Sequence, residues 1–302
     1  MPVNGKDISD FLANMVARGA LRLALALPYR WRIPLFGRIM SGVIAPIAGY
    51  RKRVRSNLAH VLPDLPEAEV ERLCREVPDN TGRSLIEIYS GAEFKRRAAD
   101  MEIVGDGLKA LEQAREDGRP VVLVTGHFGN YDAPRAALIA RGFNIGALYR
   151  PMSNRFFNAH YVRSISKIGT PVFAQGRRGM GEMVKFLKSG GVLGFFIDNH
   201  VTGAEPLDFF GQPAPTSLAA AEMALKYDAL LLSTYGIRQP DGLNFKIVVN
   251  APVEHTSPVE MMQVLSDELE ELVTSHMSQW FWIHRRWKPE RQRTLAAAKI
   301  GP

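Results

Sequence analysis

The chain has 302 residues, of which 46% are hydrophobic and 23% charged, with 4 Trp, 8 Tyr and 15 Phe. That is apolar material for one large domain or two smaller ones, and it excludes disordered, collagen-like, low-complexity and disulfide-scaffold classes. A single cysteine, Cys74, offers neither an intrachain disulfide nor a metal-thiolate cluster, and the formal net charge of +7 is uneven along the chain.

Residues 1–60 hold ten Lys/Arg against Asp7 and Asp10, and the tail from Phe281 onward holds six against Glu290, so the middle is net acidic. A basic balance has two usual partners, nucleic acid and an anionic membrane surface. Here the basic residues alternate with Phe11, Met15, Leu21, Leu23, Trp31, Leu35 and Ile39. Such a mixture predicts an amphipathic segment lying in a lipid interface, over residues 1–56, and argues against nucleic acid. The longest charge-free stretch of residues 1–60, Ile39 to Tyr50, is 12 residues and contains Pro46. A bilayer-spanning helix needs about 20 apolar residues, so the segment is expected to lie on the membrane. Arg18 and Arg22 interrupt any signal-peptide core, so it is expected to be retained. Arg51, Lys52, Arg53 and Arg55 read as a juxtamembrane anchor, worth about 1 kcal/mol per basic group near anionic headgroups; the alternative is a solvated basic face on a soluble helix.

Beyond the anchor, Pro66 to about Arg97 has helical spacing (Val70, Leu73, Val77, then Leu85, Ile86, Tyr89) with an interruption expected at Pro78. From Arg119 strands and helices alternate. The predicted strands are Val121–Thr125, 143–149, 171–173 and 192–197, with helices over 132–139, 154–167 and 180–187 between them. A long loop to Pro215 follows, then a helix 217–226, strands near 229–237 and 243–250, and a last helix from Pro258 to about Trp280. This order predicts an α/β catalytic domain over 57–302, with a largely parallel central sheet flanked by helices and its function at the carboxyl ends of the strands.

At the end of the first predicted strand stands Gly126-His127-Phe128-Gly129-Asn130-Tyr131-Asp132. The spacing alone decides little, because His200/Glu205 and His255/Glu260 repeat it. Context separates them: His127 ends a buried strand and Asp132 opens a helix. A carboxylate there is expected to accept from one imidazole nitrogen and leave the other as a general base. Gly126 and Gly129 permit close approach of a substrate and free amides for a developing oxyanion. The alternative is a histidine that merely fills a strand end.

The stretch resembles the H-x-x-x-x-D/E motif of the lysophosphatidic-acid-type acyltransferases, whose fold the chain is then expected to share. Its flanks resemble the bacterial late (lauroyl and myristoyl) acyltransferases of lipid A biosynthesis. Similar blocks follow in order: Tyr149-Arg150-Pro151, Ile197-Asp198-Asn199-His200, Phe209 to Thr216, and Trp282 to Lys288. Tyr131-Asp132 stands where most such lipid A enzymes have Trp-Glu. The resemblance implies transfer of a fatty acyl group from an acyl carrier protein thioester, or acyl-CoA, to a lipid hydroxyl. A lipid A precursor bearing a 3-hydroxyacyl chain is the family's commonest acceptor; a lyso-aminolipid or a lysophospholipid offers the same hydroxyl. His127 would take the hydroxyl proton and Asp132 would orient the imidazole. Arg150 would meet an acceptor phosphate or carboxylate or stabilise the developing charge, unless it forms a structural ion pair; Gly129 and Asn130 would be second-rank site members, Asp198 a site-shaping carboxylate, and Arg177 would face an anionic headgroup or only solvent. No metal and no resident cofactor are implied. The expected partners are acyl carrier protein, the lipid acceptor and anionic membrane lipids, at the cytoplasmic face of an inner membrane as a peripheral or monotopic protein. A non-catalytic lipid-binding protein is the alternative class. The closing run of Trp280, Trp282, Arg285, Arg286 and Trp287 suits an interfacial belt, an acyl-pocket wall or, equally, core packing at a helix end, and Tyr149, Phe195, Phe196, Phe209 and Phe210 are candidates to line an acyl channel, with the core as the alternative.

Overall fold

The computed structural model describes residues 5–288; the last three basic residues of the tail, Arg291, Arg293 and Lys299, lie outside them. The strands are Ile103–Val104 (β1), Val121–Thr125 (β2), Ile145–Tyr149 (β3), Val172–Ala174 (β4), Val192–Phe196 (β5), Glu205–Phe209 (β6), Gln212–Thr216 (β7), Leu230–Arg238 (β8) and Phe245–Val249 (β9). Seven of them form one sheet in the order β1-β9-β8-β2-β5-β3-β4. Every pairing in it is parallel except β8 with β9. The β-branched run of β2 sits in the middle because it is buried on both faces. Val122 and Val124 pack into one apolar cluster, and Val121 and Leu123 into another.

The helices are Gly5–Ala26 (α1), Tyr29–Ile39 (α2), Ala45–Ile47 (α3), Tyr50–Val61 (α4), Glu67–Tyr89 (α5), Ala92–Ala98 (α6), Leu108–Glu116 (α7), Asp132–Ala140 (α8), Arg155–Ile168 (α9), Arg177–Lys188 (α10), Ala219–Tyr227 (α11) and Pro258–Ser275 (α12). A π-helical turn, Met40–Ile44, joins α2 to α3. Leu265 and Leu269 of α12 and Ala220 and Ala221 of α11 cover the Val122 face of the sheet. Leu111 of α7 and Leu138 of α8 cover the Leu123 face. The α/β architecture expected from the alternation of elements is the one observed.

Four local expectations change. First, α5 runs unbroken through Pro78. The ring removes one helical hydrogen bond, but Leu73, Val77 and Ile86 are buried along the helix and their packing holds it together. Second, the predicted loop before Pro215 contains the β6–β7 hairpin, a separate antiparallel sheet in which Pro206 faces Pro215. Prolines hide a strand signal, yet a two-stranded ribbon tolerates them at positions that supply no ladder donor. Third, β1 and α7 come from a segment for which no element was predicted. Fourth, the last helix stops at Ser275, followed by a 3₁₀ turn, Met277–Gln279. The chain then folds inward, because Trp280, Trp282 and Trp287 are buried. They are core residues and do not form a surface belt.

The N-terminal helices share the core with α5. Ile33 and Leu58 are fully buried, and a Cβ on Gly82 would meet the Phe36 carbonyl oxygen at 2.6 Å, so α2 and α5 cross at backbone distance. The outer side is apolar and open: Trp31, Leu35, Ile39, Val43 and Ile47 are exposed at four-residue steps, Ile47 to 84%. Among the described residues no single helix is long and apolar enough to cross a membrane. The pair Tyr29–Ile47 and Tyr50–Val61, bent by 83°, passes that test only together.

Candidate active site

β2 and β5 pair in parallel with Thr125 opposite Phe196. Two residues beyond that pair, both strands leave the sheet, so His127 and Asp198 emerge side by side although 71 positions separate them. His127 Nδ1 lies 2.8 Å from Asp198 Oδ1, and the His127 amide donates to Asp198 Oδ2 at 2.7 Å. The Trp280 indole N–H donates to the same Oδ2 at 3.0 Å. Burial alone would raise the Asp198 pKa. The His127 charge and hydrogen bonds, with His284 beside them, hold it instead well below the usual carboxylate range. An ionised carboxylate only accepts, so Nδ1 carries the proton and Nε2 is left as the basic nitrogen. The imidazole is held by rings: Phe196 stacks on it at 4.4 Å, and Tyr131 meets it edge-on at 5.6 Å. His284 Nε2 donates to the Asp198 carbonyl at 2.7 Å, and burial pushes its pKa down to about 4.

Asp132, expected to orient the imidazole, is occupied elsewhere. It opens α8 and its Oδ1 takes Arg135 Nη1 at 3.0 Å, one turn along the same helix. The carboxylate borders a cavity with Tyr161 of α9 that His127 does not line. Asp198, ranked lower in the sequence, makes the contact expected of Asp132. Asn130 is also displaced from its expected role. It is fully buried, donates to Glu87 Oε2 at 2.8 Å and caps the Asp132 amide through its Oδ1 at 3.0 Å, so it braces the loop and does not reach a substrate. Gly129 does line the cavity at His127, with φ +53, and a Cβ there would stand 2.0 Å from the Gly236 carbonyl. Its amide, however, donates to the Gln279 carbonyl at 2.8 Å, and that of His127 is used by Asp198. Neither is free for an oxyanion. Arg150 and Arg177 are exposed, the first just after β3 and the second opening α10, and neither lines a cavity with His127. Arg286 is buried against Thr216 and the Pro215 carbonyl, and so is not presented to a protein partner.

Several site residues had no signal in the sequence. Glu87 of α5 and Arg238 of β8 form a buried, two-pronged ion pair (2.6 and 2.8 Å). Ser84 donates to the Gly129 carbonyl at 2.6 Å, and the Gln279 side chain bridges the Arg238 backbone. Together they clamp the loop that carries His127 between α5, β8 and the C-terminal segment. A cavity of about 260 Å³ opens over His127. Its walls are Val77, Asn80, Thr81, Ser84 and Leu85 of α5, Met40 and Tyr50 of the N-terminal segment, and Tyr131, Trp280 and Phe281. Tyr131 also borders a second, smaller cavity of about 70 Å³ beneath α8 and α9, floored by Ala147 and Gly194 and reached by Tyr149 and Phe196. Phe209 and Phe210, also considered for an acyl channel, are core residues. Among the described residues no group of three or more His, Cys, Asp or Glu is placed to hold a metal. A base oriented by a buried carboxylate, lining a largely apolar pocket, is equipped to deprotonate a hydroxyl carried on a lipid.

The family model of the bacterial lipid A biosynthesis acyltransferases matches residues 9–289. The chain belongs to that family. A lipid A biosynthesis acyltransferase of Haemophilus influenzae is 21% identical over 87% of this chain and 83% of its own length. A phosphatidylinositol mannoside acyltransferase of Mycobacterium tuberculosis is 24% identical over 79% of this chain and 78% of its own. A lipid A biosynthesis acyltransferase 2 of Shigella flexneri is 20% identical over 87% and 86%. The chain is thus a member of a lipid acyltransferase family, with relatives named for lipid A biosynthesis and for phosphatidylinositol mannoside.

Proposed function

We propose that the protein is a membrane-surface O-acyltransferase that moves a fatty acyl group from an acyl carrier protein thioester, or from acyl-CoA, to a hydroxyl of a lipid A precursor, the 3-hydroxyl of an already attached acyl chain. The observation that carries this reading is His127, oriented by Asp198, lining the 260 Å³ cavity. His127 Nε2 takes the proton of the acceptor hydroxyl, whose oxygen attacks the thioester carbonyl carbon. The C–S bond breaks and the thiolate leaves with the proton from His127. Asp198 keeps Nδ1 protonated and stabilises the imidazolium that forms in between. The transfer is direct. Cys74 is buried on α5 against the Arg51 carbonyl and does not line the cavity, so it is not placed to form an acyl-enzyme. Asp132 serves by anchoring the start of α8 to Arg135. The step uses no metal and no resident cofactor.

The exposed apolar stripe from Trp31 to Ile47, with Arg51, Lys52 and Arg53 beside it, supports peripheral attachment through residues 1–56 to the cytoplasmic face of the inner membrane, whereas Arg55 is taken by Glu67 and Glu71. Met40 and Tyr50 place the cavity wall on that same segment, so a lipid acceptor has a short path from the bilayer to His127. The test is lipid mass spectrometry of a strain lacking the protein, complemented with wild type or with His127→Ala. One lipid A species should lose an acyl group of fixed mass, and only wild type should restore it. A change confined to an aminolipid or a phospholipid would reassign the acceptor, and restoration by His127→Ala would remove the mechanism.

A further inference from the structure

Among the described residues, several arginines are matched by carboxylates. Arg32 pairs with Glu93, Arg55 with Glu67 and Glu71, Arg72 with Glu69 and Glu76, Arg135 with Asp132 and Arg238 with Glu87. The cleft between α1 and α9 breaks that pattern. Arg18 and Arg22 stand one helical turn apart on α1, and Arg163 and Lys167 one turn apart on α9. All four surround His160. Burial first, and then the fields of Arg18, Arg163, Lys167 and Arg22, hold the His160 pKa below its ordinary value. Its Nδ1 is buried without a hydrogen-bond partner, as are Arg18 Nε and the Oδ1 of Asn14, a residue only 3% exposed.

Like charges gathered this closely repel one another, yet packing holds them together. Phe11 meets Phe156 edge-on at 5.6 Å, and Asn154 Nδ2 donates to the Asp10 carbonyl at 2.8 Å, which fastens α1 to the start of α9. A cleft that collects cations and leaves the buried Arg18 Nε–H unused is complementary to a multiply oxygenated anion. The same helix exposes Phe11, Met15 and Leu23, to 47%, 49% and 76%, and the apolar stripe of α2 continues from it. Anion-binding groups beside exposed apolar side chains are the two halves of a lipid interface.

We propose that the α1–α9 cleft binds the phosphate of an anionic membrane-lipid headgroup. The inference rests on the membrane-surface part of the reading above, and it extends the membrane contact to α9, outside residues 1–56. It is independent of the chemistry at His127.

The test is co-sedimentation of the purified protein with phosphatidylcholine vesicles, with and without phosphatidylglycerol, for wild type and for Arg163→Gln/Lys167→Gln. Both residues are exposed, so the fold is retained, and circular dichroism checks it. Two basic groups near an anionic surface are worth about 1 kcal/mol each, so affinity for the anionic vesicles should fall about thirtyfold. Binding to phosphatidylcholine alone should not change. His127→Ala should bind both vesicles as wild type does, so a failed mechanism would leave this result standing. Lys109→Gln/Lys226→Gln removes two exposed cations from α7 and α11 and should bind like wild type; an equal loss there would reduce the effect to net charge and overturn the site. Unchanged vesicle binding by the α9 variant would also overturn it. If that were joined by a raised KM for an acyl carrier protein thioester but not for acyl-CoA, the cleft would be a protein-docking surface. Displacement of wild type from anionic vesicles by millimolar inorganic phosphate at constant ionic strength would assign it to a soluble phosphate.

Discussion

Replacing Asp198 by Asn separates a general base from a histidine that merely fills a strand end. The carboxylate accepts from three donors: His127 Nδ1 at 2.8 Å on one oxygen, and the His127 amide at 2.7 Å and the Trp280 indole at 3.0 Å on the other. An amide of the same shape has one oxygen. If it faces the two N–H donors, its NH₂ meets Nδ1, and the imidazole must move its proton to Nε2, the nitrogen that should be basic. General-base assistance is worth about 10²–10⁴ in rate, so kcat should fall by that factor with KM little changed. Hydrogen bonds to a charged group contribute about 1.5–3 kcal/mol each, so a stability loss of that order should accompany it. Thioester consumption measured alongside thermal unfolding gives both numbers. Asp132→Asn is the comparison: it breaks a buried pair with Arg135 and should cost stability, with a smaller change in kcat per folded molecule. Wild-type kcat in Asp198→Asn, with kcat abolished in a folded Asp132→Asn, would refute the assignment of the dyad.

Further outcomes follow from the same contacts. His284 has a folded pKa of about 4 against an ordinary 6.5, so the unfolded chain takes up its proton first and stability drains as pH falls between those values. That is about 3 kcal/mol for this group at 1.36 kcal/mol per unit, and chemical denaturation of wild type and His284→Gln at pH 7 and 4.5 should show the acid-induced loss reduced in the variant. Equal pH dependence would contradict the burial argument. Glu87→Ala leaves Arg238 buried and uncompensated and should cost about 3–5 kcal/mol, whereas Glu87→Leu with Arg238→Met should recover much of that stability; calorimetry of the three proteins decides. Trp31→Ser/Ile47→Ser should weaken vesicle binding without lowering the unfolding temperature, since both side chains are exposed at 59% and 84%; a matching fall in stability would place them in the core.

The strand–helix alternation from Val121 onward was readable because buried parallel strands are short and β-branched, and β2, β3, β5 and β8 lie within a residue or two of the predicted segments. The hairpin β6–β7 was not, since Pro206, Pro213 and Pro215 speak against strands and only pairing with one another makes them so. His127 was legible from its place at a strand end. Its carboxylate partner was sought five residues on, at Asp132, when sheet register supplies it from 71 residues away. Periodicity identifies strands but does not say which neighbours lie side by side, and it is the β2–β5 pairing that brings Asp198 beneath the imidazole. The Glu87–Arg238 clamp was out of reach for the same reason, one partner lying on a helix and the other on a strand. The terminal Trp and Arg residues left a lipid belt, a pocket wall and core packing open, because aromatic-basic mixing reads alike in a lipid belt and in a core whose arginine finds carbonyls, as Arg286 does.

The most direct measurement of the central claim is transfer by the purified protein in mixed micelles, with an acyl carrier protein thioester as donor and a lipid A precursor bearing a free 3-hydroxyacyl chain as acceptor, analysed by mass spectrometry for wild type and His127→Ala. The account predicts that wild type adds one acyl mass to the acceptor with release of one thiol, and that His127→Ala does so at least 10²-fold more slowly, at the low end of general-base assistance. Free fatty acid without an acylated acceptor, or equal transfer by both proteins, would contradict it.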